Sequence, residues 1–310
     1  MKQKIFWASI SIIILSYFGN YFYFQSKQLD SPVFLEHFYE LTLNEEDETT
    51  LTFYYLTNKS DTSTANFVMI NGIETVPVSN HDFFMWDSQA PQYVQEFTHH
   101  YLKAVSVSFP TEYEGNEPLS FSEMEVHFSD GKTVQADIGG VILHKRGENP
   151  EVFDFRMGSS SNQHTSETLL VSKQPVTIEK IEIPFTENIP DNVLLKVDRE
   201  QKNLRKLENP MEVSDYPEWF NHERDKEWSD LPGVLLRDDL LPFNLEQNEY
   251  IRFFMQFNPE RDSYFQFSIK LIGQTESGEK FVSELPIMNH PYLDQKAINR
   301  IIKGKERDSK

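Results

Sequence analysis

The residues best suited by type and spacing to do chemistry lie in Glu218-Trp219-Phe220-Asn221-His222-Glu223. On a helix, Glu218 and His222 stand at i and i+4 on one face, a spacing that lets both reach one metal ion. Asp215 and Asp225 would add oxygens. An exposed Glu and His at that spacing is equally ordinary surface decoration, so Glu218 and His222 are weak candidates and the expectation is no metal and no cofactor. A second group, His81, Asp82 and Asp87 with His99 and His100, is weaker still, because adjacent residues of a strand point to opposite faces. Glu123 and Glu125 lie two apart on one strand. They have the type of a glycosidase pair, but a solvated face explains them better.

Several chemistries are excluded outright. The chain has no Cys, which removes thiolate metal sites and Cys nucleophiles. It contains no G-x-x-x-x-G-K-[ST], no G-x-G-x-x-G, no G-x-S-x-G and no H-E-x-x-H. The acidic run Asn44-Glu45-Glu46-Asp47-Glu48 lacks the spacing and the Gly of a calcium loop. No catalytic residue is therefore assigned.

Binding chemistry has better candidates. His81 to His100 packs Phe83, Phe84, Trp86, Tyr93 and Phe97 into a stretch without strand alternation, and Arg199 to Asp230 sets Trp219, Phe220 and Trp228 amid dense charge. Aromatic rings supply rigid contact area at low entropic cost. Phe83, Trp86, Tyr93, Trp219, Phe220 and Trp228 are the expected binding residues, and the competing reading is that these rings cap the open ends of a β-sandwich.

The elements that must hold such residues follow from patterning. The chain has 310 residues, a prior for about two domains. Lys plus Arg number 29 against 49 Asp plus Glu, a net charge of −20. That balance argues against nucleic acid as the main partner and against a polybasic grip on anionic lipid. Twenty-five Phe provide ample core material.

Lys2 and Lys4 precede twenty uncharged residues, Ile5 to Phe24. At about 1.5 Å per residue this run matches a hydrocarbon core of about 30 Å. The bulky Tyr17, Phe18, Tyr21, Phe22, Tyr23 and Phe24 offer no small-residue cleavage site, so an uncleaved signal anchor is expected over a cleaved signal peptide. Tyr17, Tyr21 and Tyr23 fit an outer aromatic belt, and the two Lys mark the inner side. The expectation is a cell-membrane protein with residues 1–4 as a cytoplasmic stub, 5–24 as the transmembrane helix and the rest outside.

Beyond it, period-2 alternation dominates. Leu51, Phe53 and Tyr55, then Val105, Val107 and Phe109, then Met124, Val126 and Phe128 read as half-buried strands. Asp130-Gly131 signals a hairpin, and the phase change from Val176 and Ile178 to Ile181 and Ile183 signals a bulge. Ile251 to Phe257 is expected to pair with Phe265 to Leu271, and Ser277-Gly278 turns into a further strand. Gly158 to Ser166, rich in Ser, reads as the linker. The expected class is mostly β: a transmembrane helix followed by two antiparallel, Ig-like β-sandwich domains, 29–157 and 167–290, the second with an insertion at 199–230. A single larger sandwich is the alternative. Residues 291–310 form a basic tail whose Ala297, Ile298, Ile301 and Ile302 make an apolar stripe at helical spacing, suited to docking on polymer, lipid or the chain's own acidic domains.

The short basic start, the anchor, the acidic Cys-free β body, and segments such as Asn58-Lys59-Ser60-Asp61 and Phe128-Ser129-Asp130-Gly131-Lys132 resemble the uncharacterised, single-pass extracytoplasmic proteins of low-GC Gram-positive bacteria. The similarity is one of style along the whole chain. It implies a cell-surface location and carries over no catalytic residue. The function expected is a tethered binding or scaffold protein without catalysis. Its expected partners are the membrane and either a cell-wall polymer or another membrane protein. The alternatives are an accessory subunit of a transport or secretion complex, or a carboxylate-dependent cell-wall hydrolase.

Overall fold

The computed structural model describes residues 2–43, 48–77, 93–109, 117–145, 149–160, 164–189, 192–199, 228, 231–237 and 240–308. The chain opens with helix α1 (Lys2–Gln25). Strands then build three sheets. The first has four strands in the order β1 (Val33–Phe34), β3 (Thr49–Asn58), β7 (His100–Phe109) and β6 (Gln95–Glu96). Its centre is the antiparallel pair β3–β7, in register from Thr49↔Phe109 to Asn58↔His100. The alternation read from the sequence divides its faces: Leu51, Phe53, Val105 and Val107 are buried, while hydroxyl pairs Thr50–Ser108 and Thr52–Ser106 join the strands on the other side at 3.0 Å each.

Opposite lies a nine-stranded sheet that both halves of the molecule share. Its order is β15 (Phe243–Leu245), β12 (Val176–Glu182), β17 (Tyr264–Thr275), β2 (His37–Thr42), β9 (Thr133–His144), β8 (Leu119–Phe128), β4 (Ala65–Ile70) and β5 (Ile73–Thr75), with β18 (Lys280–Asn289) also on β17. The third sheet runs β10 (Phe153–Ser160), β11 (Thr165–Ser172), β16 (Tyr250–Phe257), β13 (Val193–Arg199) and β14 (Val234–Leu235).

Two hydrophobic cores result, one against the four-stranded sheet and one against the five-stranded sheet. They meet at β2, which pairs in parallel with β17 on one side and β9 on the other. Because successive residues of a strand face opposite ways, Tyr39 enters the first core and Phe38 the second. Their β17 neighbours divide likewise, Tyr264 to the first core and Phe265 to the second. Glu40 stands at the same joint, 6% exposed, with its Oε1 accepting from His144 Nε2 of β9 and Lys270 Nζ of β17 at 2.6 Å each. The molecule is thus two sandwiches fused through one sheet, and two of the joining ladders are parallel where only antiparallel ones were expected.

Two further expectations are corrected, and that of the tail is met. Gly158 to Ser166 is no linker: Gly158 pairs with Thr168 and Ser160 with Ser166 in the β10–β11 hairpin. Small polar residues suit a solvated ribbon as well as a tether, and β10 is exposed from Phe155 to Ser160. The strands at Ile251 and Phe265 do not pair; β16 and β17 belong to facing sheets and contribute Phe253, Phe257, Phe265 and Phe267 to one core. The basic tail is helix α2 (Gln295–Asp308). It begins where Asp294 Oδ1 accepts from Ala297 N at 2.8 Å, an N-cap. Its apolar stripe is docked: Leu293, Ala297 and Ile298 lie in the first core, with Ile301 and Ile302 against it. Arg300 grips Asp262 at 2.6 and 2.9 Å, and Lys305 reaches Asp137 at 3.0 Å. Of the tail's proposed docking surfaces, the chain's own acidic body is the one observed. The Asp130-Gly131 turn and the bulge after Ile178 fall where the sequence placed them.

Helix α1 stands apart from both cores. Its rings and aliphatic side chains are exposed on every side, since four consecutive residues, Ile12 to Leu15, and four more, Tyr21 to Phe24, are each 47% exposed or more. Over the described residues, no helix is long and apolar enough to cross a membrane.

Candidate functional site

An open polar pocket of about 510 Å³ lies between the loop after β3 and the turn joining β8 to β9, lined by Asn58, Ser60, Asp61, Thr62, Ser63, Ser129, Asp130 and Lys132. Each wall is shaped by local hydrogen bonds. In the first, Asp61 N donates to Asn58 O at 2.9 Å, and Asp61 Oδ1 accepts from Ser63 N and Ser63 Oγ at 2.8 and 2.6 Å. A short carboxylate bonding its own backbone two residues on is what fixes such a turn. In the second, Gly131 takes φ +85°, a conformation Gly adopts without cost, and Lys132 N donates to Asp130 Oδ1 at 3.1 Å. That backbone bond, with the Lys132 ammonium beside it, holds the Asp130 carboxyl below its ordinary value. The walls are tied together: Ser129 N donates to Thr64 O at 2.8 Å and Thr64 N to Ser129 Oγ at 3.1 Å.

The first wall is held by Lys103 of β7, 5% exposed. Its Nζ donates to Asp61 O at 3.0 Å and Ser63 O at 2.9 Å, so one buried ammonium fixes two lining residues. Burial pulls this lysine below its usual pKa, against the pull of Asp61. The pocket is therefore formed before any ligand arrives. It presents carboxylate acceptors beside hydroxyl and ammonium donors. Ser63 Oγ donates to Asp61 Oδ1, and the lining as a whole is a hydrogen-bonding surface.

Asn58 joins the pocket to the exit of α1. Its Nδ2 donates to Leu29 O and its Oδ1 accepts from Leu29 N, both at 2.8 Å. Beside it, His100 Nε2 donates to Lys27 O at 2.9 Å, and the His99 ring meets the Tyr23 and Phe24 rings edge-on, centroids 6.1 and 6.2 Å apart. Burial holds His100 below the usual histidine value.

The residues expected from sequence fare unevenly. Trp228 is corrected: it is 1% exposed, packed with Leu194 and Phe254, and makes no binding surface. Its burial is maintained by Lys196, whose Nζ sits 4.9 Å from the ring centroid and donates to Trp228 O at 2.7 Å. The ring lies in a small cluster apart from both sandwich cores, so it is not seen to cap a sandwich end either. Tyr93 stacks on Tyr101, centroids 4.3 Å apart, and donates to Glu96 Oε2 at 3.4 Å. Glu96 in turn takes Lys59 Nζ at 2.5 Å. Phe83, Trp86, Trp219, Phe220, Glu218 and His222 lie outside the described residues. Among the described residues no group of three or more His, Asp or Glu is placed to hold a metal ion. Glu123 and Glu125 engage Gln135 (3.2 Å) and His127 (2.5 Å) on the surface of β8. The pocket itself was not anticipated. Of its two segments only Ser129 to Lys132 was read as a turn, and nothing local signals that the loop at Asn58 to Ser63 lies against it.

No family model and no curated protein matches the chain. Solved structures that align with it include a chicken TCR, at 11% identity over 81% of this chain and 100% of that one, TM-score 0.20. The collagen binding domain of the Erysipelothrix rhusiopathiae surface protein RspB aligns at 8% identity over 83% and 93%, TM-score 0.19. The C-terminal domain of the Streptococcus pyogenes antigen I/II-family protein AspA aligns at 7% identity over 84% and 99%, TM-score 0.19. TM-scores of this size do not fix a shared fold.

Proposed function

We propose that this chain is a non-catalytic binding protein held in a membrane by α1, with its fused sandwiches outside the cytoplasm and the polar pocket as its binding surface. The observation that carries the tether is α1 itself. A helix with Ile, Leu, Phe and Tyr side chains exposed around it gains by having them covered in a core or a bilayer, and neither core covers this one. The polar residues that lower its hydropathy are largely satisfied within the helix: Ser11 Oγ donates to Trp7 O at 3.0 Å and Asn20 Nδ2 to Ser16 O at 2.9 Å. Internal satisfaction removes most of the cost of a polar group in lipid. The tyrosines at its C-terminal end suit the interface, and a start bearing Lys2 and Lys4 suits the inner side. The preformed pocket, with donors and acceptors and no nucleophile–base pair, supports binding rather than catalysis.

The test is flotation of the full chain with phospholipid vesicles, beside residues 26–310 alone. The full chain should float and resist carbonate extraction while the shortened one stays at the bottom. A full chain that remains soluble, or that external protease fails to digest in intact protoplasts, overturns the tether or its direction.

A further inference from the structure

Resting on that tether, we infer that the polar pocket takes the hydroxylated headgroup of a neutral glycolipid in the same membrane that holds α1. Position supplies the first argument. Asn58 lines the pocket and grips both backbone groups of Leu29, four residues past the last residue of α1. Four extended residues reach at most about 14 Å. The bonds Ser26 N to Phe22 O, Lys27 N to Phe24 O and Gln28 N to Gln25 O shorten that path by continuing the helical winding. His99, packed on Tyr23 and Phe24, fixes the same end of the first sandwich against the helix. With the tyrosine rings at the interface, a headgroup layer of about 5–8 Å begins there, and the Asn58 wall of the pocket is held within the reach of that short connection.

Chemistry supplies the second argument. Sugar hydroxyls both donate and accept, and the pocket offers both complements: Asp61 and Asp130 as acceptors, Lys132, Ser60 and Thr62 as donors. A volume of about 510 Å³ is of ligand size. Charge then separates lipid classes. A net charge of −20 and two carboxylates in the lining oppose a phosphate or other anionic headgroup, whereas a neutral sugar meets no such repulsion. Lys103 holds the acidic wall in place in advance, so little ordering cost falls on binding.

The experiment uses the full chain in nanodiscs of phosphatidylcholine that contain a neutral diglycosyl diacylglycerol, phosphatidylglycerol or neither, with bound lipid read by native mass spectrometry. Enrichment of the glycolipid is expected, falling about tenfold or more in a D61N/D130N variant. The Asn side chains keep an acceptor for Ser63 N and Lys132 N, so the loops retain their form. Ser60→Trp, which fills the pocket without touching those bonds, should abolish enrichment with an unchanged melting temperature. Equal retention of both lipids, enrichment unaffected by these variants, or binding of the free disaccharide but not the glycolipid overturns the inference while leaving the tether standing. Failure to enter nanodiscs overturns both.

Discussion

At the scale of single residues, His37 is the most consequential group in the first core. It is fully buried; its Nε2 accepts from Tyr54 N at 3.0 Å, and its ring stacks on Tyr264 with centroids 5.2 Å apart. Burial, opposed by backbone hydrogen bonds and reinforced by nearby His290, lowers its pKa to about 3. An unfolded histidine takes its proton near pH 6.5. Between those values the unfolded chain binds a proton that the folded chain refuses, so stability rises with pH through the window and is lost on acidification. From about pH 7 to pH 5 the loss is roughly 2 kcal/mol. His37→Gln keeps an acceptor for Tyr54 N and removes the titration. Urea titrations at the two pH values should show the wild type losing about that much more than the variant; parallel losses would show that His37 does not titrate as its burial implies.

At the scale of elements, the same device recurs in both sandwiches: a buried lysine on a strand ties down an irregular segment by two carbonyls. Lys103 does so for the pocket loop, and Lys196 holds Trp228 and Leu231 in the same way. Helix α2 is held differently, by burial on one side and ion pairs on the other. Surface ion pairs contribute little, commonly under about 1 kcal/mol, so its docking rests on Leu293, Ala297 and Ile298. Ile298 is fully buried, and Ile298→Ala should cost about 2–5 kcal/mol. Arg300→Ala, on the exposed side, should cost under about 1 kcal/mol. Chemical denaturation of the two variants checks the ranking, and the reverse order would mean that the charges carry the helix.

At the scale of the whole molecule, the two halves are joined through contacts of several kinds. The strand β2 is laid beside β17, Phe185 from the loop after β12 packs on Phe38 at 5.4 Å between centroids, and α2 returns from the second sandwich to the first core. A Cβ at Gly140 would stand 3.0 Å from the Phe185 ring, so any larger residue there would press that ring aside by a few tenths of an ångström. Two sandwiches joined this way should not unfold separately. Near-ultraviolet circular dichroism and tryptophan fluorescence should give coincident, single transitions with heat or urea. Two resolved transitions would return the molecule to a pair of independent domains.

Alternation and turn chemistry sufficed to locate strands such as β3, β7, β8, β16 and β17, the Asp130-Gly131 turn, the bulge after Ile178 and the apolar stripe of α2, because each depends on neighbours within a few residues. Which strands pair does not. Phe253 and Phe265 read alike whether their strands adjoin or face one another across a core, and the Ser-rich stretch at Gly158 to Ser166 reads alike as tether or ribbon. The direction in which Trp228 points is likewise a property of Lys196 and Leu194, distant in sequence. The pocket belongs to the same class. Its Asp130-Gly131 turn is legible by itself, but long-range bonds such as those of Ser129 with Thr64 and of Lys103 with Asp61 bring the two segments together, and Asn58, His99 and His100 set them beside the end of α1. Local free energies are written in adjacent residues; the placement of one surface against another depends on pairings over long loops, which no short window of sequence records.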